Sequence, residues 1–280
     1  MARPRKRHVQ LELPRADKNG QRRGGKRTGA GRPTNRERPS ERHERREAFK
    51  ASEPVHVVIR AVAAVGALRG FVTYYALRTA MVTTFKRTDF RIVHISIQRE
   101  HVHLIIEAAS RLALARGMQA FEISAAKHLN ASISQRTGKA RRGAVFPDRY
   151  HVEILRSPRQ TRRAVAYVVN NWRHHGESQL QLAAGWKIDP FSSAPSFDGF
   201  SDVDARTIEW PARYVPLPVW EPRTWLLSVG WRKHGLVRTT EVPGRASRAR
   251  RASPARRPAP RRRSAGSPRA AARSRRPAKA

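Results

Sequence analysis

Apolar and polar positions repeat along residues 54–176 with two different periods, and these periods predict the secondary structure. Short runs rich in β-branched residues predict strands in VHVVIRAV, FRIVHISIQ, HVHLIIEA and AVFPDRYHVEILRS. Apolar residues spaced three and four positions apart predict helices in FVTYYALRTAMVTTFKR, MQAFEISAAKHLNASISQRTG and PRQTRRAVAYVVNNWRHHG. The predicted order is strand, helix, strand, strand, helix, strand, helix.

This order is a split βαβ pattern followed by one additional helix. Only Arg99 and Glu100 separate the second strand from the third, which is the spacing of a hairpin. We therefore predict an α+β fold, a ferredoxin-like antiparallel sheet with helices packed on it. Many functions occur on such a sheet, so the fold alone assigns none.

The charge is strongly basic and unevenly distributed. Lys and Arg total 58 against 21 acids, a formal net charge of +37, which favours a polyanionic partner such as nucleic acid. Residues 1–50 hold 17 basic residues against 6 acids, and residues 241–280 hold 14 against 1. Both segments lack the apolar residues that stabilise a core, so we predict disordered basic tails that contact phosphate. Arg32, in a Gly-Arg-Pro fragment similar to half of an AT-hook, is a candidate DNA contact; a plain solvated tail is the alternative.

The composition also limits the other partners and cofactors. The longest apolar stretch, AVAAVGAL, is far shorter than the roughly 20 residues of a spanning helix, so we expect no membrane partner and a cytoplasmic location. The chain has no cysteine, which excludes disulfides and thiolate chemistry. Residues 177–240 contain five of the six tryptophans and are predicted to dock on the domain at 52–176; base stacking by an exposed Trp is the alternative.

A pair of histidines begins the third predicted strand. Because side chains alternate along a strand, His101 and His103 lie on one face of the sheet. Such a pair could hold a metal ion, or it could be ordinary polar sheet surface. A metal site needs at least one further ligand from elsewhere in the fold.

The last predicted helix supplies candidate partners. Its apolar stripe is formed by Val165, Val168, Val169 and Trp172. Tyr167 and Asn171 lie four residues apart and away from this stripe, together with Arg163. A tyrosine hydroxyl has a pKa of about 10, so its attack on a phosphodiester requires a metal ion that polarises the phosphate. Two imidazoles and one amide oxygen suit Mg²⁺ or Mn²⁺, and Mn²⁺ accepts imidazole more readily.

These residues resemble a known family. His101-Val102-His103 resembles the histidine–hydrophobe–histidine (HUH) motif, and YVVNN at 167–171 resembles the Tyr-x-x-x-Asn/Gln motif of single-tyrosine HUH transposases. Over about residues 52–176 the chain is similar to the REP-associated tyrosine transposases, which are domesticated relatives of insertion-sequence transposases. It departs from them at Trp172, where relatives often have proline.

The resemblance implies a mechanism and a set of site residues. It implies that His101, His103 and Asn171 bind a divalent metal and that Tyr167 cleaves hairpin-flanked single-stranded DNA through a 5′-phosphotyrosine. It leaves Asn170 open as the alternative ligand and the chain as a monomer or a homodimer. It also implies a bacterial, nucleoid-associated protein.

Further basic residues of the last helix are candidate DNA contacts. Arg162, Arg163 and Arg173 are predicted to meet phosphate, although a solvated face would look the same. His174 and His175, at the helix end, are interpreted as capping residues or contacts with the DNA backbone. The main alternative function is a catalytically inactive module that binds single-stranded nucleic acid through charge and stacking.

Overall fold

A computed structural model describes residues 46–179 and 185–242. Its centre is a four-stranded antiparallel sheet of β1 (Val55–Arg60), β2 (Phe90–Ile97), β3 (His101–Ala108) and β4 (His151–Ile154). The strands lie in the order β2-β3-β1-β4, so β3 is an interior strand. β2 and β3 form the predicted hairpin, with Ile97 opposite Val102 across the turn. The α+β fold predicted from the sequence is confirmed.

The helices cover both faces of the sheet. On one face α1 (Phe71–Thr84) and α2 (Arg111–Thr137) bury the alternate residues of β1 and β3, including Val57 and Leu104. On the other face α3 (Pro158–Val169) packs against β2 and β3 through Val93 and Ile105. Because of this two-sided covering, β3 is apolar at nearly every position after its two histidines.

Three predicted elements differ most from the observed ones. α2 begins at Arg111 rather than 118, because the Ser110 side chain accepts a hydrogen bond from the backbone N–H of Ala113 and caps the helix. β4 occupies only four residues of the predicted stretch 144–157. The predicted helix over residues 158–176 breaks at Asn170 (φ −111°, ψ 14°), after which a separate turn, α4, spans Asn171–His174.

A close approach between α2 and β2 explains the glycine inside α2. A Cβ added to Gly117 would lie 2.1 Å from the Phe90 ring, which is fully buried. Although alanine favours a helix by about 1 kcal/mol over glycine, we expect Gly117→Ala to destabilise the protein by roughly 1–3 kcal/mol through overpacking. Chemical denaturation would measure the change, and an unchanged or higher unfolding free energy would contradict this packing.

The segment after the domain lies against the sheet and its helices. Arg69 donates two hydrogen bonds, of 3.0 and 2.8 Å, to the buried carboxylate of Asp189. Trp231 is buried beside α3, and a short helix α5 (Trp225–Ser228) precedes it. Trp225 is half exposed, whereas the Trp220 ring stacks on Phe85 at 4.8 Å.

The described chain includes the inner ends of both predicted tails. Arg46, which the sequence places in the N-terminal tail, lies over the Tyr150 ring at 3.6 Å and donates to the Tyr150 carbonyl. Glu241, placed in the C-terminal tail, pairs with Arg162. The remainder of both tails, including Arg32, lies outside the described residues. Within residues 46–179 and 185–242, no helix is both long and apolar enough to cross a bilayer.

Candidate functional site

The two histidines of β3 lie on the face of the sheet that α3 covers. His103 is opposite Val58 of β1 and Ser96 of β2, and His101 is opposite Arg60 near the end of the hairpin. Their ring centroids are 4.8 Å apart. The Nδ1 atom of His101 and the Nε2 atom of His103 are both buried without a hydrogen-bond partner in the described structure. Two lone pairs or N–H groups are thus held in the interior without a protein partner, an arrangement that suits a pair of metal ligands.

A third histidine completes this group. The His175 ring follows α4 and lies 5.0 Å from the ring of His101. His101, His103 and His175 each offer one nitrogen, and these atoms lie within 4.8 Å of one another. Imidazole nitrogens so placed could hold a divalent metal ion. His175 therefore belongs to this cluster and is also the C-cap residue of α4, where its backbone N–H donates to the Asn171 carbonyl. Its contact with the DNA backbone stays a prediction.

Tyr167 lies beside the histidine cluster. Its ring centroid is 5.2 Å from that of His103 and 5.6 Å from that of His174. The side chain is half-buried and packs at the edge of the apolar cluster under α3. Burial raises the pKa of the Tyr167 phenol, so the hydroxyl stays protonated at neutral pH. Any nucleophilic role for this oxygen requires a cationic neighbour.

The two asparagines differ in their surroundings. The Asn170 amide donates a hydrogen bond of 2.8 Å to the carbonyl of Arg238, so it anchors the end of the described chain. Asn171 is fully buried, and neither its Oδ1 nor its Nδ2 has a partner among the described residues. Although the sequence places Asn171 away from the apolar stripe, its side chain is not exposed. An unpaired buried amide costs about 1–3 kcal/mol, so the Asn171 side chain is better suited than that of Asn170 to bind a ligand.

The cluster is electrostatically suited to metal binding. Burial, followed by the proximity of His56 and the other site histidines, lowers the pKa of His103 to about 2. Burial, then His175 and Arg60, lowers the pKa of His101 to about 4. Burial and His174 also lower the pKa of His175. All three rings are therefore neutral at pH 7, the form in which imidazole binds a metal.

The predicted DNA-contacting arginines have different environments. Arg163 is exposed on α3. Arg173 donates to the Lys187 carbonyl at 3.1 Å and lies over the Trp172 ring. Arg162 is bound to the carboxylate of Glu241 and to backbone carbonyls, which leaves its guanidinium little capacity for phosphate.

Two histidines at the site, His56 and His175, were not identified as site residues from the sequence. The Nε2 atom of His56, on β1, lies 3.0 Å from Nδ1 of His103. No signal in the sequence gives the register of β1 against β3. His175 did have a signal, because Tyr167, Asn171 and His175 follow one another at intervals of four residues.

Comparisons with known proteins give the following matches. Residues 52–171 match the sequence profile of a family described as "Transposase IS200 like". No curated protein matches the chain. One solved structure, a REP-associated tyrosine transposase bound to a REP hairpin, is 16% identical with a TM-score of 0.44, and the match covers 65% of this chain and 99% of that one.

The matched span begins just before β1 and ends at Asn171, so it contains the sheet, both β3 histidines and Tyr167. It stops before His175 and before the Trp-rich segment. Over residues 52–171, the chain is similar to the IS200-like transposase family.

Proposed function

We propose that the chain is a metal-dependent single-stranded DNA transposase and endonuclease that cleaves and rejoins DNA through a covalent link to Tyr167. The observation that carries this proposal is the position of the Tyr167 ring beside His103, in a cluster of neutral histidines. A nucleophile and a metal site side by side suit phosphodiester cleavage. The proposed substrate is single-stranded DNA flanked by a hairpin, as the resemblance to the REP-associated tyrosine transposases implies.

The metal ion would be held by His101, His103 and His175, with the amide oxygen of Asn171 as a further donor. The unpartnered buried atoms of His101, His103 and Asn171 fit such an ion. A donor set dominated by imidazole favours Mn²⁺ over Mg²⁺. When bound, the ion would polarise the scissile phosphate and stabilise the charge that develops on it.

The chemistry of the chain's own residues then follows. The Tyr167 oxygen attacks phosphorus, the bond from phosphorus to the 3′ oxygen breaks, and the released 3′ oxygen takes a proton to become a hydroxyl. The phenol must lose its proton in this step, and a neighbouring imidazole such as His174, whose ring centroid is 5.6 Å from that of Tyr167, would receive it. Attack by another 3′ hydroxyl on the phosphotyrosine reverses the step and rejoins a strand without ATP.

The DNA would reach the cluster through an open cavity. This cavity of about 440 Å³ is lined by Arg99, Glu100, His101, His175 and Glu177 among others, so its lining is of mixed charge and phosphate contact needs further arginines. Arg163 is exposed and Arg173 is half-buried near the site. Because Arg162 is occupied by Glu241, we assign phosphate contact to Arg163 and Arg173 first.

Incubation of the purified full chain with labelled hairpin-flanked single strands and Mn²⁺ tests this function. A protein–DNA band that survives denaturation and disappears with EDTA is the expected result. Salt-sensitive binding over a broad oligonucleotide pool, with no such band, would favour the inactive nucleic-acid-binding module instead.

The assignment of Asn171, rather than Asn170, as the metal ligand leads to a separate prediction. We expect Asn171→Ala to weaken Mn²⁺ binding by about tenfold or more, because it removes a donor, and Asn170→Ala to leave Mn²⁺ affinity near the wild-type value. Electron paramagnetic resonance of free Mn²⁺ measures both affinities. Equal losses in the two variants would contradict the assignment of Asn171.

A further inference from the structure

His56 contacts His103 but lies outside the His101-Val102-His103 motif. It is also outside the group of His101, His103 and His175, whose nitrogens could hold a metal ion. It lies on β1, the neighbour of β3, and its ring is nearly parallel to that of His103, with centroids 5.2 Å apart and an interplanar angle of 20°. The 3.0 Å contact joins Nε2 of His56 to Nδ1 of His103. His103 therefore has one nitrogen bound to His56 and the other, Nε2, buried without a partner.

The proton of this hydrogen bond can belong to Nε2 of His56 or to Nδ1 of His103. If His56 donates, the neutral His103 ring carries its proton on Nε2, which places a buried N–H without an acceptor. If His103 donates from Nδ1, its Nε2 presents a lone pair toward the cluster. Only this second arrangement permits coordination through Nε2. Metal-binding histidines commonly donate their other N–H to an acceptor that fixes the ring in this way.

We propose that His56 is a positioning residue for His103, accepting the Nδ1–H hydrogen bond and thereby holding the Nε2 lone pair toward the metal. This inference rests on the proposed metal site. His56 acts through His103 and is not assigned contact with the metal or the DNA. Its ring also lies 6.0 Å from that of Tyr167, so a tilt of the His56 and His103 pair would disturb the nucleophile's packing.

The test has two readouts on the full chain. Long-range ¹H–¹⁵N spectra of the metal-free protein show which nitrogen of His103 carries the proton, and Mn²⁺ titration gives the dissociation constant. We expect the proton on Nδ1 in wild type. His56→Phe, which keeps a ring but removes the acceptor, should weaken Mn²⁺ binding by about 10–100-fold. His56→Gln, whose amide oxygen can accept, should recover part of the loss.

His128→Phe is the matched control, because His128 lies on α2 at the opposite face of the sheet. The proposal is overturned if His103 carries its proton on Nε2 in wild type, or if His56→Phe leaves the Mn²⁺ affinity unchanged. If the wild-type protein binds no Mn²⁺, the proposed metal site is wrong. The position of the His103 proton then still shows whether His56 accepts the hydrogen bond. If His56→Phe does not fold, the Mn²⁺ affinity of His56→Gln and the wild-type ¹H–¹⁵N spectra test the proposal instead.

Discussion

Replacing Tyr167 with phenylalanine is expected to abolish the covalent protein–DNA product while DNA binding persists. The change removes only the hydroxyl, and the ring can keep its packing beside His103 and at the edge of the α3 cluster. Because no other group would form the link to phosphorus, adduct formation should fall by at least about a thousandfold. Denaturing gels measure the adduct, and fluorescence anisotropy measures binding.

Tyr150→Phe is the control for this variant. Tyr150 lies beneath Arg46, outside the histidine cluster, and its side chain is buried. Loss of the Tyr150 hydroxyl should leave the adduct yield near the wild-type value. An adduct that forms at the wild-type rate in Tyr167→Phe would remove Tyr167 from the role of nucleophile.

The second large effect is expected for His103→Ala. This change removes a nitrogen of the cluster and leaves Nε2 of His56 without its partner. We expect Mn²⁺ affinity to fall by about a hundredfold or more and the adduct to disappear at limiting metal. Calorimetric titration with Mn²⁺ and the gel assay test the two expectations together.

A loss of folding could produce the same result, so the thermal unfolding of His103→Ala should be compared with that of wild type. His128→Ala supplies a control of the same residue type from outside the site. A folded His103→Ala protein that binds Mn²⁺ as tightly as wild type would contradict the assignment of His103 as a ligand.

The elements of the fold were predictable where a short segment determines its own structure. The short runs rich in β-branched residues predict the strands β1, β2 and β3. The two-residue separation at Arg99 and Glu100 predicts the hairpin between β2 and β3. The start of α2 was missed because glycine has a low helix propensity, which argued against a helix at Gly117. In the structure this glycine leaves space for the Phe90 ring. The break at Asn170 was also missed, since the apolar spacing continues unchanged through Trp172.

The site was only partly predictable, because it depends on contacts between distant segments. The alternation rule places His101 and His103 on one face, and the spacing of four links Tyr167 to Asn171. The contact of His56 with His103 depends on the register of β1 against β3, which the local sequence does not determine. The sequence alone also could not separate Asn170 from Asn171, since only the anchoring of Asn170 to the Arg238 carbonyl distinguishes them.

Peptide mapping of the covalent product tests the central proposal most directly. Wild-type protein would be incubated with a hairpin-flanked single strand and Mn²⁺, digested with nuclease and protease, and analysed by tandem mass spectrometry. We expect a nucleotide attached through phosphate to the phenolic oxygen of Tyr167. Attachment at another residue, or cleaved DNA with no attached nucleotide on the protein, would contradict the phosphotyrosine mechanism.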